Sequence, residues 1–197
     1  MRREKRNGEV ALPTMEQIQN ERKRLRYQGR YRRTLKSTIA VLVVVAALAV
    51  LMATLWMPVF QIYGTSMSPT LVEGQYVVAI KSDDFETGDI CALWYENKLL
   101  VKRVIAGPGS WVNIDEDGNV YVDGALLDEP YLTEKAFGDC NIELPYQVPE
   151  SKWFVIGDNR ATSVDSRNST MGCISDESIV GRIEFCVWPF SRFGSIA

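Results

Sequence analysis

The chain has 197 residues, with 22 Lys and Arg, 25 Asp and Glu, and no His. Its 46% apolar and 24% charged content is ordinary for a globular protein and excludes bulk disorder. The missing histidine excludes Ser-His-Asp and Cys-His catalysis and any His-ligated metal or haem. A general base near neutral pH must then be Lys, Asp, Glu, Tyr or Cys with a shifted pKa.

Charge is divided unevenly along the chain. Residues 1–36 hold twelve Lys and Arg against four Glu, a net +8, and the remainder holds ten against twenty-one, a net −11. Such asymmetry marks a membrane boundary or a nucleic-acid arm. The tail has little aromatic interleaving and is tethered to an apolar segment, which argues against nucleic acid. Thr14 and Gln17 form a capping box and predict a tail helix running to about Tyr27. Its basic residues either hold anionic lipid headgroups or form a solvated tail that only sets topology.

No charged side chain occurs between Lys36 and Glu73. Within that span, Thr38 to Met57 is apolar on every face for 20 residues, or about 30 Å as a helix. Trp56 suits an interface, and Pro58 is a stop. The basic stretch before the apolar run is too long for a cleaved signal peptide, and the run exceeds the usual ~7–15 residues. Residues 37–58 therefore read as a retained transmembrane signal anchor. Positive charge places residues 1–36 in the cytoplasm and 59–197 outside.

Beyond the anchor the pattern changes to short β-branched and aromatic segments at 58–64, 75–81, 89–95, 98–106, 110–114, 119–124, 152–158 and 178–188. Their spacing predicts an all-β domain over 59–197. Asp117-Gly118-Asn119 and Asp123-Gly124 are turn signals. The run from Asp115 to Asn119 lacks the ligand spacing of a calcium loop and reads as a turn. A small inserted lobe is expected at about 107–151. Its 124–151 part is rich in Pro and polar residues and reads as exposed. Cys91, Cys140, Cys173 and Cys186 form no C-x-x-C pair, so no zinc or other metal site is expected. An extracytoplasmic compartment permits disulfides, in any of three pairings. Cys91 and Cys186 lie in apolar strands and read as buried thiols.

Three segments carry chemistry. Lys102 lies beside Arg103 in an apolar strand, and neighbours on a strand point to opposite faces, so one of the two cations faces inward. A desolvated lysine amine has a depressed pKa and serves as a general base. Ser66 sits in a Gly-Thr-Ser turn after a strand, where a hydroxyl and a free N–H for an oxyanion are presented together. Asp158, Arg160, Asp165 and Arg167 adjoin another apolar strand and read as a buried ion-pair scaffold, with Arg103 as a partner.

Taken together, SMSPTL at 66–71, KRVI at 102–105 with GPGS following, and GDNRxxSxDSR at 157–167 resemble the boxes of bacterial type I signal peptidases. These are serine proteases that use a Ser–Lys dyad. The resemblance covers roughly residues 36–190, including the preceding anchor. It implies an all-β catalytic domain of antiparallel sheets behind a single transmembrane helix. It implies that Ser66 is the nucleophile, Lys102 the general base and Ser163 the hydroxyl that orients the amine. Arg103, Asp158, Arg160, Asp165 and Arg167 would be structural. Phe60, Ile62, Met67, Leu71, Leu100 and Val101 would line pockets for small residues. Gly64 stands where some members carry a Ser oxyanion donor, which leaves the oxyanion to backbone N–H groups such as that of Ser66. Ala106, Ser110 and Ala161-Thr162 also depart from the family pattern, without touching the dyad.

The implied function is removal of signal peptides from exported preproteins after small-x-small sites, at the bacterial plasma membrane, with no cofactor. The implied partners are signal peptides and the lipid bilayer. Two alternatives are a Ser–Lys peptidase dedicated to one substrate, such as a pilus or spore protein, and a non-catalytic, membrane-tethered peptide-binding β domain.

Overall fold

The structure is a computed structural model that describes residues 14–82 and 84–196. The basic and acidic residues before Thr14, and the side chain of Trp56, lie outside the described residues. The capping box forms as read: the Thr14 N–H donates to Gln17 Oε1 at 2.9 Å, and the Gln17 N–H to Thr14 Oγ1 at 3.4 Å. It starts α1, which runs without interruption from Met15 to Trp56. The sequence reading placed a separate tail helix before the anchor, and the two are one helix. No proline lies between them, and Gly29 alone is a weak breaker, costing about 1 kcal/mol. Pro58 ends the helix where expected. The apolar half of α1 is exposed along its length among the described residues, and it is long and apolar enough to cross a membrane.

From Met52 the chain forms its own compact unit. Its strands are β1 (Val59–Gln61), β2 (Tyr76–Ile80), β3 (Ile90–Tyr95), β4 (Lys98–Ala106), β5 (Trp111–Ile114), β6 (Val120–Val122), β7 (Ala125–Leu126), β8 (Tyr146–Gln147), β9 (Lys152–Ile156), β10 (Ile174–Ser175), β11 (Ile179–Trp188) and β12 (Gly194–Ser195). All eight segments expected to be strands form one; β7, β8, β10 and β12 have only two residues each, too short to carry a period. The main antiparallel sheet has the order β1-β2-β11-β3-β4-β9-β10, with β12 added beside β11. The second sheet has the order β7-β6-β5-β8. Asp123 and Gly124 both take positive φ, as a two-residue hairpin between β6 and β7 requires. The Gly118 N–H bonds to the Asp115 carbonyl, so this run is a turn.

Two expectations are corrected here. First, strand alternation was expected to turn one of Lys102 and Arg103 inward, and both are only 2% exposed. Strand β4 is central, and its sheet is covered on both sides. Cys91, Leu93, Val104, Met171 and Ile174 pack on the Lys102 face. The Tyr131 ring covers Arg103 on the other, 3.7 Å from the guanidinium carbon.

Second, the stretch 124–151 is not an exposed appendage. Leu127, Phe137, Ile142, Leu144 and Tyr146 pack against a core of Ile105, Val112, Ile114, Val120, Phe154 and Ile156. Ile142, Leu144, Tyr146 and Val148 alternate with exposed neighbours as in a strand, but the surrounding Pro-rich and polar composition masked that period. Glu129 from the same stretch is buried and pairs with buried Arg160. Removing one member of a buried pair strands the other charge, at a cost of about 3–5 kcal/mol. Glu129→Ala is expected to lower stability by that amount, read as a fall in the melting temperature of the detergent-solubilised protein. An unchanged melting temperature would show that Arg160 is solvated there.

Candidate active site

Three pieces of backbone meet around Lys102. The first is the turn after β1. The Ile62 N–H and carbonyl bond to the Gln75 carbonyl and the Gly74 N–H, which fixes where the chain leaves the sheet. Gly64 takes φ +80°, a conformation costly for a residue with a Cβ, with open space on its side-chain face. One helical turn follows, in which the Leu71 N–H donates to the Met67 carbonyl at 2.9 Å. Ser66 is half-buried at the start of this turn. Among the described residues no backbone hydrogen bond uses its N–H, so that donor is free.

The second piece is β4. The Lys102 amine donates to Ser163 Oγ at 2.8 Å. Burial holds the amine below the ordinary lysine value of 10.5, because the charged form loses its hydration. Asp165 and Asp158 act against this shift, and Arg167 adds to it. Cys91 is the cross-strand partner of Lys102, and burial pushes its thiol up to about 12, so it brings no anion to the amine.

The third piece is the loop after β9. The Asn159 N–H donates to the Ser66 carbonyl at 3.0 Å and joins this loop to the Ser66 turn. Gly157 lies between them. A Cβ there would lie 2.5 Å from the Ser66 carbonyl oxygen and closer still to Ser163 Oγ. Only a glycine lets these segments approach so closely. Gly157 opens the motif at 157–167, and its sequence context alone gives it no role.

The charges around these pieces are paired. Arg103 grips Asp158 through two bonds of 2.9 and 2.8 Å, and donates to the Gly88 carbonyl at 2.6 Å. Asp158 also accepts from Thr70 of the Ser66 turn. Arg167 grips Asp165 at 2.8 and 2.9 Å and donates to the Phe137 carbonyl at 2.9 Å. Asp165 in turn accepts the Gly157 N–H at 3.1 Å. The ion-pair residues singled out from sequence are thus brought together. Glu129 and Tyr131 were missed, and nothing in their local sequence marks them; Thr70 lies inside the motif at 66–71 but was given no role.

A groove of about 60 Å³ opens beside Ser66, lined by Phe60, Ile62, Gly64, Met67, Leu100 and Val101. Gln61, Tyr63 and Leu99 also line it. Leu71, expected as a pocket residue, instead lies 1% exposed in the core beneath, packed with Ile62 and Met67. One wall of the groove is a free strand edge. Val104 exchanges backbone bonds with the β3 side through Asp89 and Gly88, so Leu99 and Val101 turn their backbone groups the other way. Strand β9 pairs with β4 only from Arg103 onward. An extended peptide can add to the open edge.

A hydroxyl on an exposed turn, a desolvated amine and a peptide-sized strand edge fit a serine peptidase that works without histidine. The comparisons agree. The family model described as signal peptidase, peptidase S26, matches residues 35–188. Signal peptidase I of Bacillus licheniformis is 34% identical over 170 residues, covering 78% of this chain and 89% of that one. Signal peptidase IB of Staphylococcus aureus strain COL is 37% identical over 155 residues, covering 68% and 79%. A crystal structure of a signal peptidase I from Enterococcus faecalis V583 is 28% identical, with coverage of 50% of this chain and 96% of that chain and a TM-score of 0.44.

The chain belongs to the signal peptidase family, peptidase S26, and within it to the type I signal peptidases. It is a serine endopeptidase, and a non-catalytic tethered β domain is not favoured.

Proposed function

We propose that Ser66 is the nucleophile and Lys102 the general base in removing signal peptides from preproteins. Residues 37–58 anchor the protein in the membrane, with residues 1–36 cytoplasmic and the catalytic domain, 59–197, on the outer side. The observation that carries the dyad is the Lys102 amine, buried, depressed in pKa and held by Ser163 in a chain with no histidine. The neutral amine takes the Ser66 proton as the hydroxyl attacks the scissile carbonyl. The carbonyl oxygen gains negative charge and is met by the free Ser66 N–H. The leaving amine takes the proton, and an acyl-enzyme on Ser66 remains. Lys102 then draws a proton from water as the water oxygen attacks the acyl carbonyl; the bond from that carbon to Ser66 Oγ breaks, Oγ takes the proton from Lys102, and the new carboxylate leaves. Ser163 is a positioning residue, aiming the amine through its 2.8 Å bond. The charge difference between residues 1–36 and the rest supports the orientation.

Purified full-length protein in detergent, incubated with a preprotein, is expected to give one new N-terminus after a small-x-small site. Ser66→Ala should give none. A product with the variant, or none with the wild type, would overturn the reading.

Two further results are expected. Only the unprotonated amine is a base, so kcat/KM should rise with pH through an apparent pKa below 10.5. A profile flat from weakly acidic to alkaline pH would contradict a titrating lysine. The groove volume admits a methyl-sized side chain and excludes a ring. A peptide with Phe for Ala just before the cut should lose about 100-fold or more in kcat/KM. Equal turnover of the two peptides would show that the groove does not take this residue.

A further inference from the structure

The free edge of β4 is short. Leu99 and Val101 offer backbone groups to an incoming strand, but from Arg103 the same edge is occupied by β9, with Arg103 opposite Ile156. An extended substrate on that edge is collinear with β9 and meets its end just beyond Lys102. The residues before the cut fit the open edge. The residues after the cut have no edge to follow, and they must leave the sheet over the loop after β9.

A second cleft opens at that exit, of about 260 Å³. It lies between Ser68 and Pro69 of the nucleophile turn, Asn159 and Ala161 of the loop after β9, and Thr133 and Glu134 of the inserted stretch. Ser68 is only two residues beyond Ser66, and the Asn159 N–H bonds to the Ser66 carbonyl, so the cleft adjoins the proposed reacting bond. Its buried charges are paired, although the Arg160 Nε has no hydrogen-bond partner among the described residues. Asp158 is held by Arg103, and Arg160 by Glu129. Glu134 is exposed at the rim, with no salt-bridge partner among the described residues. Most of its lining side chains are polar or charged, whereas most of those lining the first groove are apolar.

We propose that this cleft is the subsite for the first two residues after the cleaved bond. Glu134 makes it favour a basic or hydrogen-bond-donating side chain over an acidic one. The proposal rests on the cleavage reaction proposed above and adds a specificity for the start of the mature protein.

The test uses full-length enzyme in detergent, as wild type, Glu134→Lys and Ala161→Trp. Its peptide substrates are identical up to the cut and carry Lys, Gln or Glu at the first or second position after it. A methyl ester ending at the residue before the cut serves as a substrate that never enters the cleft. Wild type should prefer Lys over Glu by about three- to tenfold in kcat/KM at one of the two positions, less at high salt. Glu134→Lys should reverse that order and leave the ester unchanged. Ala161→Trp should slow the peptides by about tenfold and spare the ester. The same Lys-to-Glu ratio in wild type and Glu134→Lys, or equal slowing of peptides and ester by Ala161→Trp, overturns the subsite. If wild type cleaves neither peptides nor ester, the cleavage reading itself fails.

Discussion

Lys102→Met is expected to abolish cleavage while leaving the fold intact. Methionine approximates the lysine stem in volume and carries no charge, so a site 2% exposed accepts it with no penalty for burial of an ammonium. What is lost is the amine that bonds to Ser163 and stands below its ordinary pKa. No histidine can substitute for it. Nucleophile and base act as a unit, and loss of either costs about 10^4-fold or more in kcat. Lys102→Arg should be equally inactive, because a guanidinium stays protonated. The measurement is kcat on a signal-peptide substrate beside a thermal melt of the same sample. A Lys102→Met enzyme folded and within tenfold of wild-type turnover would remove the lysine from the mechanism.

Gly157→Ala is expected to have the next largest effect, from a single added methyl group. The obstacle is space: the new Cβ would press on the Ser66 carbonyl and the Ser163 hydroxyl together. One is the backbone of the proposed nucleophile and the other holds the proposed base. Neither can yield easily, because the Asn159 N–H holds the Ser66 carbonyl and Asp165 holds the Gly157 N–H. Overpacking of this kind costs about 1–3 kcal/mol in stability. A displacement of order 1 Å between reacting groups costs about 10^2-fold in rate. The variant should therefore melt somewhat lower and lose about 10^2-fold or more in kcat. Full activity would show that the three segments are not held at the spacing the reaction needs.

The β-domain strands were legible because their residues alternate or run apolar between turn residues. That Arg103 joins a buried ion-pair scaffold was legible because these charges lie beside apolar strands, where a partner is obligatory; that Asp158 is the carboxylate it grips was not. The long apolar helix was legible from length and apolarity, but its joining with the tail helix into one was not. That outcome depends on the absence of a strong breaker near Gly29, and a weak breaker has no fixed result. The buttress made by Glu129, Tyr131 and the carbonyls of Ala136 and Phe137 was invisible. It depends on contacts across more than 20 residues of chain with no period. Leu71 was misplaced because motif membership says which residues are near the turn, and not which of them face the groove.

The most direct test of the central claim is to trap the acyl-enzyme. The full-length protein is mixed with a slowly deacylating peptide ester, quenched in acid and mapped by mass spectrometry. The account predicts one adduct, on Ser66, absent from Ser66→Ala and formed far more slowly by Lys102→Met. An adduct on another residue, or turnover by Ser66→Ala with no adduct on Ser66, would contradict it.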